Sequence, residues 1–323
     1  MFVKRCSSPV TGTASFHNTT IMVSPFIEGQ ILPSTVVGSF PAEPRRTLSS
    51  LLDPFHAAVR EAVDAQLAAG ITIISDGQVR GDMISTFTSR LPGVRGNEVV
   101  GRIMPPDGPI TVRDTRYARS RHPYVKGILT GPSTLSHGLK ISTPNYRSRD
   151  ELIPDMASAL CTEARALDAV GISILQIDEP ILSTGIADLS CARDAISRIA
   201  GVVQTPVCLH VCGPVFRIID EYVKMPVRIL DFEGSADPEN FASLSAQDVG
   251  DRYIGLGCVD SSRPVLEDLE TVISRIRSAI DAFGPERILP DPDCGLRMLP
   301  REMAYAKLNR LGEAVTHMRR ELS

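Results

Sequence analysis

The sequence predicts an α/β protein folded as a single (β/α)8 TIM barrel. Short apolar runs alternate with amphipathic stretches along most of the 323 residues, which is the pattern of strands followed by helices. The runs are apolar almost throughout, as in parallel strands that are buried on both faces. No G-x-G-x-x-G turn follows the first run, so a doubly wound open sheet is the less favoured alternative.

The barrel prediction rests on eight apolar strands with helices between them. The predicted strands cover residues 35–40, 71–75, 125–129, 172–177, 207–211, 228–232, 253–258 and 287–289. Apolar residues at helical spacing predict helices at 53–69, 150–169, 189–200, 215–222, near Asn240, at 265–283 and at 301–317. No linker divides these elements, so residues 31–323 are assigned to one catalytic domain.

Two segments depart from this alternation. Residues 86–122 are rich in Gly, Pro and Arg, and such a length is unusual for a connection in a compact domain. We predict an inserted excursion after strand two, a β-arm with the character of a lid, from short alternating pieces at 98–100 and 110–112. Residues 1–30 are rich in Ser, Thr and Pro, which predicts a poorly ordered tail.

Composition excludes several classes of protein. With 22% charged residues and a net charge of -4, the chain has no basic stripe for phosphates, so nucleic acid is not an expected partner. The sequence contains no run of eighteen apolar residues, so it predicts no membrane span. The first thirty residues lack the apolar core of a signal peptide. Seven cysteines, an odd number in a large chain, predict reduced thiols in a cytoplasmic protein.

Possible metal ligands stand at the ends of three predicted strands. His210 and Cys212 are two residues apart on one strand, so their side chains share a face. Glu233 and Cys294 follow the sixth and eighth strands, and the four together suit tetrahedral zinc. The alternatives are a buried histidine beside a core thiol, and for Glu233 a carboxylate at a helix N-terminus. Cys208 lies deeper in its strand and is interpreted as a packing residue.

Other polar residues at strand ends suit the two charged groups of an amino acid. Asp178 and Glu179 leave the fourth strand and could bind an ammonium group; alternatively they cap the next helix or pair with arginine. Gly38 and Ser39 offer backbone N–H groups and a hydroxyl to a carboxylate, or form a tight turn. The arginines at 45–46 and within 113–121 are interpreted as solvated surface.

Four motifs in order resemble the catalytic half of cobalamin-independent methionine synthase, and the short archaeal-type single-domain members are nearest in length. They are LPSTVVGSFP at 32–41, QIDEP at 176–180, HVCG at 210–213 and PDCGL at 292–296. The resemblance spans roughly residues 31–312. It implies a TIM barrel that transfers a methyl group to the thiol of homocysteine, with zinc binding that thiol.

The resemblance also implies roles for single residues. Positions matching His210, Cys212, Glu233 and Cys294 hold the zinc. Gly38 and Ser39 match the segment that receives the carboxylate of homocysteine, and Asp178 matches the residue that receives its amino group. Asp178 and Cys294 are accordingly the candidate catalytic residues.

This sequence departs from the family pattern at two positions. Gln78, with Asp76 nearby, stands where the family commonly has a glutamate that helps bind the ammonium group. Ser262 stands near the position of a histidine thought to assist the folate leaving group in the full-length enzymes. These enzymes also have an N-terminal half, lacking here, that helps bind polyglutamyl folate. We therefore expect a methyl-corrinoid donor, either methylcobalamin or a corrinoid protein.

Two other functions remain compatible with the sequence. One is methyl transfer from a corrinoid to coenzyme M or another thiol, because related barrels also carry His-x-Cys and a distant cysteine. The Asp178 carboxylate argues against it, since a sulfonate thiol has no ammonium group. The other is a protein that binds a thiol or zinc without turnover, because sites with four protein ligands are often structural.

Overall fold

The computed structural model describes residues 30–44 and 53–323 of the chain. In chain order its strands are β1 (Val94–Arg95), β2 (Glu98–Val99), β3 (Lys126–Thr130), β4 (Lys140–Ile141), β5 (Ile174–Asp178), β6 (Val207–Val211), β7 (Ile229–Glu233), β8 (Tyr253–Val259) and β9 (Ile288–Pro292). The longer strands lie within two or three residues of the predicted bounds, and β6 matches its prediction to the residue.

The helices of the described chain lie between these strands. They are α1 (His56–Ala68), α2 (Ser85–Thr88), α3 (Val112–Arg121), α4 (Pro132–His137), α5 (Arg149–Asp168), α6 (Leu189–Ala200), α7 (Ile219–Tyr222), α8 (Pro238–Ser245), α9 (Leu269–Phe283) and α10 (Arg301–Glu321). The helices α1, α5, α6, α9 and α10 were predicted from their apolar periodicity, whereas α2, α3 and α4 were not. None of the helices in the described residues has the length and hydrophobicity that a bilayer crossing requires.

A parallel sheet of six strands positions the site. Its order is β3-β5-β6-β7-β8-β9, and side chains along these strands are almost all buried. One inner layer is apolar and comprises Ile73, Ile174, Cys208, Ile229 and Leu289. Two residues further along four of these segments the inward side chains are polar: Gln176, His210, Asp231 and Asp291. The functional side chains therefore stand directly above an apolar floor.

The first two predicted strands are irregular segments in the structure. Backbone hydrogen bonds still link the outer strands through them: Thr35 N donates to Pro290 O on β9 (2.9 Å), and Lys126 N on β3 donates to Ile74 O (2.7 Å). Between the segments, the hydroxyls of Ser34 and Thr72 accept from backbone N–H groups at 3.1 and 3.2 Å. Ser34 O also accepts from Thr72 N and Ile73 N at 3.1 and 2.9 Å, but these bonds do not continue into a regular ladder along 35–40 and 71–75.

The excursion at 86–122 contains a helix as well as the predicted β-structure. β1 pairs antiparallel with β2, and β4 joins β2 in parallel. Residues 110–112, predicted as an extended piece, instead lead into α3, which begins at Val112; this is a correction. The residue that stabilises the start of this helix is distant in sequence. The buried carboxylate of Glu163 on α5 accepts from the N–H groups of Ile110 and Thr111 at 2.6 and 2.7 Å. A carboxylate at this end stabilises a helix.

Some predictions concern residues at the edge of the described chain or beyond it. The predicted tail, except for Gln30, and the arginines at 45–46 lie outside the described residues. On α3, Arg113 is an exposed side chain that pairs with Asp53 at 3.2 Å. Arg121 pairs with Asp64 at 3.0 Å. These two arginines are therefore surface side chains with acidic partners.

Candidate active site

A cavity of about 340 Å³ opens where the parallel strands end. Asp178 from β5, His210 from β6, and Cys212 and Cys294 from the loops that follow β6 and β9 line one part of it. Ser39, Asp76, Gln78, Arg80, Met83, Asp114, Arg297 and Met298 line other parts. The carboxyl ends of the strands are where barrel enzymes carry their active residues. The predicted site residues thus share one cavity in large part.

Three predicted metal ligands converge in this cavity. His210 Nε2 lies 2.9 Å from Cys212 Sγ, and Cys212 Sγ lies 3.2 Å from Cys294 Sγ. All three ligating atoms fall within 4.8 Å of one another. The Cys294 thiol has a pKa below its ordinary value because the Cys212 thiol donates a hydrogen bond to it. One imidazole nitrogen with two sulfurs, one of them a thiolate, is a donor set that fits zinc.

The orientation of the His210 ring is fixed from below. Asp231 Oδ1 on β7 lies 2.8 Å from His210 Nδ1, and both side chains are about 1% exposed. Nε2 is the ring nitrogen turned toward the two sulfurs, and a carboxylate at the other ring nitrogen is the usual partner of a histidine that ligates a metal. The ring is therefore prepared to act as a ligand through Nε2.

Glu233 stands close to this cluster but outside it. Its Oε2 accepts a hydrogen bond from the backbone N–H of Gly213 at 2.9 Å. Burial raises the pKa of its carboxyl group. The three ligating atoms that lie within mutual reach belong to His210, Cys212 and Cys294. The role of Glu233 as a fourth ligand stays a prediction.

Asp178 lines the cavity as predicted for a group that binds ammonium. Its Oδ1 accepts from Gln176 Nε2 at 2.7 Å, which leaves Oδ2 for a ligand. Burial raises the pKa of Asp178 to about 7, against the lowering influence of His210 and Gln176. A positive group of the substrate would favour the charged form of this carboxyl.

Glu179 does not line the cavity, and its predicted part in binding ammonium is corrected. Its carboxylate accepts from the N–H groups of Ser133 and Thr134 at 2.9 and 2.7 Å, and from the Thr134 hydroxyl at 2.6 Å. It therefore caps α4, a helix that the sequence did not predict. Since this helix is only six residues long, its periodicity gave no signal.

We expect Glu179→Ala to lower the free energy of unfolding by about 3 kcal/mol, because it leaves two buried N–H groups without acceptors. Urea unfolding followed by circular dichroism measures the change. Glu179→Gln, which keeps one acceptor oxygen, is the control and loses less. Equal stability of Glu179→Ala and the wild type would contradict the capping role.

The predicted carboxylate-binding segment is closely packed. Gly38 has φ +154°, and a Cβ added there would lie 2.5 Å from Ile128 Cδ1 and 2.6 Å from Gln78 Oε1. Ser39 lines the cavity, and its carbonyl accepts from Leu296 N at 2.8 Å. Gln78 also lines the cavity, with φ +43°. Gln78 and the Gly38-Ser39 segment are thus neighbours at one wall, as a shared substrate site requires.

Sequence reasoning missed the residues that support this site. Asp231 and Gln176 hold His210 and Asp178, and Lys126 lies beneath both. A sequence signal existed, because each is a polar side chain within an otherwise apolar strand. At the mouth, Arg80 donates hydrogen bonds to Asp53 and Asp114, which come from segments far apart in sequence. That pairing has no local sequence signal.

Comparisons with known proteins agree with this geometry. Residues 32–317 match the family described as cobalamin-independent synthase, catalytic domain. Methionine synthase from Methanothermobacter marburgensis is 41% identical over 307 residues, which cover 88% of this chain and 99% of that protein. Methionine synthase from Methanothermobacter thermautotrophicus is 39% identical over 302 residues, with coverage of 86% and 97%.

A solved structure supports the fold. The B12-independent methionine synthase from Shewanella sp. W3-18-1, in complex with selenomethionine, aligns with a TM-score of 0.78 at 23% identity, covering 91% of this chain and 99% of that one. At this identity the likeness concerns the fold, and it confirms the predicted TIM-barrel class. From the family match and its archaeal relatives, the chain is a methyltransferase that belongs to the cobalamin-independent methionine synthase family.

Proposed function

We propose that the protein transfers a methyl group from a methyl-corrinoid to the thiol of homocysteine, at a zinc centre held by His210, Cys212, Cys294 and Glu233. The observation that carries this proposal is the convergence of an imidazole and two thiols on a cavity that Asp178 also lines. Methyl transfer to homocysteine accords with the methionine synthase relatives. The reduced thiols that the centre needs suit the cytoplasm.

The substrate is oriented by both of its charged ends. Asp178 accepts the ammonium group of homocysteine through the oxygen that Gln176 does not occupy. Ser39, and the backbone at Gly38, receive the carboxylate, while Gln78 contributes an uncharged oxygen where the family commonly has a glutamate. This leaves the substrate thiol directed toward Cys212 and Cys294. Holding the nucleophile in this way removes much of the entropic cost of the reaction.

The chemistry requires a thiolate at neutral pH. Zinc, when bound, lowers the pKa of a thiol that it contacts. The thiolate of homocysteine then attacks the methyl carbon of the donor, so that a carbon–sulfur bond forms as the carbon–cobalt bond breaks. The electron pair of the broken bond leaves with cobalt, and no proton has to be delivered.

The charge of the cavity favours such a donor over a folate. Carboxylates outnumber cations among its lining residues: Asp76, Asp82, Asp114 and Asp178 against Arg80 and Arg297. Arg80 already pairs with Asp53 and Asp114, and Arg297 donates to the carbonyl oxygens of Gly81 and Gln78. Both arginines of the cavity are thus engaged with groups of the protein, which leaves neither free to pair with the two or more carboxylates of a folate. A corrinoid presents amides around its ring in place of carboxylates, and methylcobalamin carries one phosphodiester charge.

The chemistry of the leaving group also favours a corrinoid donor over a folate. A folate amine leaves readily only when protonated, and loss of a general acid costs about 10²–10⁴-fold in rate. Ser262, which stands near the family histidine, donates its N–H and hydroxyl to Asp260 Oδ1 at 2.8 and 2.6 Å. A hydroxyl in this position cannot replace an imidazole as the acid. The mouth is also partly apolar, since Met298 is 90% exposed there, which suits a corrin ring or a corrinoid protein.

A panel of donors tests this choice. With purified zinc-loaded protein and homocysteine, we expect methionine from methylcobalamin at a rate at least about 100-fold above that from methyltetrahydrofolate or its triglutamate. Methionine is quantified by mass spectrometry. Protein without homocysteine is the control. Turnover with either folate and none with methylcobalamin would contradict the corrinoid proposal, and a higher rate with a methylated corrinoid protein would identify the partner.

A further inference from the structure

A fully buried lysine lies beneath both halves of the proposed site. Lys126, at the start of β3, is 2% exposed and donates to Val36 O at 2.9 Å and to Gln176 Oε1 at 2.7 Å. Its Nζ also lies 4.0 Å from Asp231 Oδ2. The first two partners accept hydrogen bonds, and the Asp231 carboxylate places a negative charge near the ammonium group. A buried charge is retained at a cost unless it is paired in this way.

One branch from this lysine leads to Asp178, the carboxylate that is proposed to bind the substrate ammonium group. The Gln176 amide uses its oxygen for Lys126 and its nitrogen for Asp178 Oδ1 and Val37 O, each at 2.7 Å. Lys126 donates to the amide oxygen of Gln176. A flip of this amide would therefore place its NH2 group against the ammonium group of Lys126. Lys126 thereby fixes which face of Gln176 meets Asp178, and so the direction of the free Asp178 oxygen.

The other branch leads to the metal ligand. Asp231 faces Lys126 with Oδ2 and His210 Nδ1 with Oδ1. Asp291, two residues beyond the apolar floor on β9, has both carboxyl oxygens buried and without a hydrogen-bond partner among the described residues. Burial and the nearby Asp231 carboxylate raise the pKa of Asp291, and Asp231 Oδ2 lies 4.0 Å from the Lys126 ammonium group.

We propose that Lys126 is a positioning residue that couples the two halves of the site, orienting Asp178 through Gln176 and His210 through Asp231. The inference deepens the proposed function and rests on it. It requires that loss of Lys126 weaken zinc binding and homocysteine binding together, whereas loss of one branch weakens one of them.

Binding measurements on zinc-loaded and zinc-free protein test this without turnover. Zinc affinity is measured by competition with a chromophoric chelator, and thiol affinity by calorimetry with homocysteine and with 4-mercaptobutyrate, which lacks only the amino group. Gln176→Met should weaken homocysteine about tenfold and leave zinc and 4-mercaptobutyrate unchanged. Asp231→Asn should weaken zinc about 10–100-fold. Lys126→Met should do both.

The controls separate coupling from general damage. Lys307 is another fully buried lysine, bound to Val265 O at 2.5 Å and Glu267 at 3.3 Å outside the cavity, so Lys307→Met should change neither affinity. Should Lys126→Met not unfold cooperatively, Lys126→Gln replaces it. A folded Lys126 variant that alters only one affinity or neither would overturn the proposal, as would weaker zinc binding by Gln176→Met. Failure of the wild type to bind zinc or homocysteine would instead overturn the proposed function on which the inference rests.

Discussion

Replacing Cys294 by serine is expected to remove zinc from the protein and with it methyl transfer. Loss of a residue that merely supports a ligand costs about 10–100-fold in metal affinity, so loss of a ligand should cost at least about 100-fold. Cys294 is also the thiol whose pKa is lowered by the Cys212 hydrogen bond, and a serine hydroxyl cannot supply this charge. Zinc content after dialysis against a chelator and the rate with methylcobalamin measure both effects.

Cys191→Ser is the matched control. This partly exposed thiol lies on α6, outside the cluster of ligating atoms, so its replacement should leave zinc content and rate unchanged. A Cys294→Ser variant that keeps stoichiometric zinc through dialysis would contradict the proposed centre. Loss of zinc with full activity would contradict its part in catalysis.

The second large effect is expected at Asp178, because its buried carboxylate is proposed to hold the substrate ammonium group. Asp178→Asn keeps the shape and removes the charge. A hydrogen bond to a charged group contributes about 1.5–3 kcal/mol, so the KM for homocysteine should rise about 10–100-fold. The rate with 4-mercaptobutyrate, which has no amino group, should not change. Steady-state kinetics with both thiols measure the difference.

This comparison also separates the proposal from its nearest rival. A methyltransferase for coenzyme M or another thiol without an amino group has no ammonium to bind at Asp178. An unchanged KM for homocysteine in Asp178→Asn, with 2-mercaptoethanesulfonate as the better acceptor of the wild type, would favour that rival.

Strands that are buried on both faces could be predicted, because their apolar runs carry the signal. The strand 207–211 was predicted to the residue for this reason. The helix 189–200 was predicted to the residue from the helical spacing of its apolar residues. The segments at 35–40 and 71–75 were predicted as strands but are irregular, and the bonds that join them include the side chains of Ser34 and Thr72, which lie 38 residues apart in the sequence. Likewise the carboxylates of Glu163 and Glu179 accept from N–H groups where α3 and α4 begin, and no local pattern connects these glutamates to the two helices.

The site, too, could be predicted where a local motif carries the signal and not where distant segments meet. His210, Cys212 and Cys294 were identified from motif spacing, because strand ends of a parallel barrel must meet at one face. The sequence could not decide which carboxylate of the Asp178-Glu179 pair faces the cavity. Neighbouring residues of a strand face opposite sides, but only the position of α4 shows that Glu179 accepts hydrogen bonds from that helix. The support from Lys126 and Asp231 for Asp178 and His210 depends on four strands meeting, which no single segment reveals.

X-ray absorption spectroscopy at the zinc edge tests the central claim most directly, namely that the substrate thiol is activated at the centre of His210, Cys212 and Cys294. Zinc-loaded protein should show two sulfur neighbours, from Cys212 and Cys294, and homocysteine should raise the number to three. The Cys294→Ser variant provides the reference for lost sulfur. A zinc environment that does not change with saturating homocysteine would contradict the claim and would indicate a structural metal site.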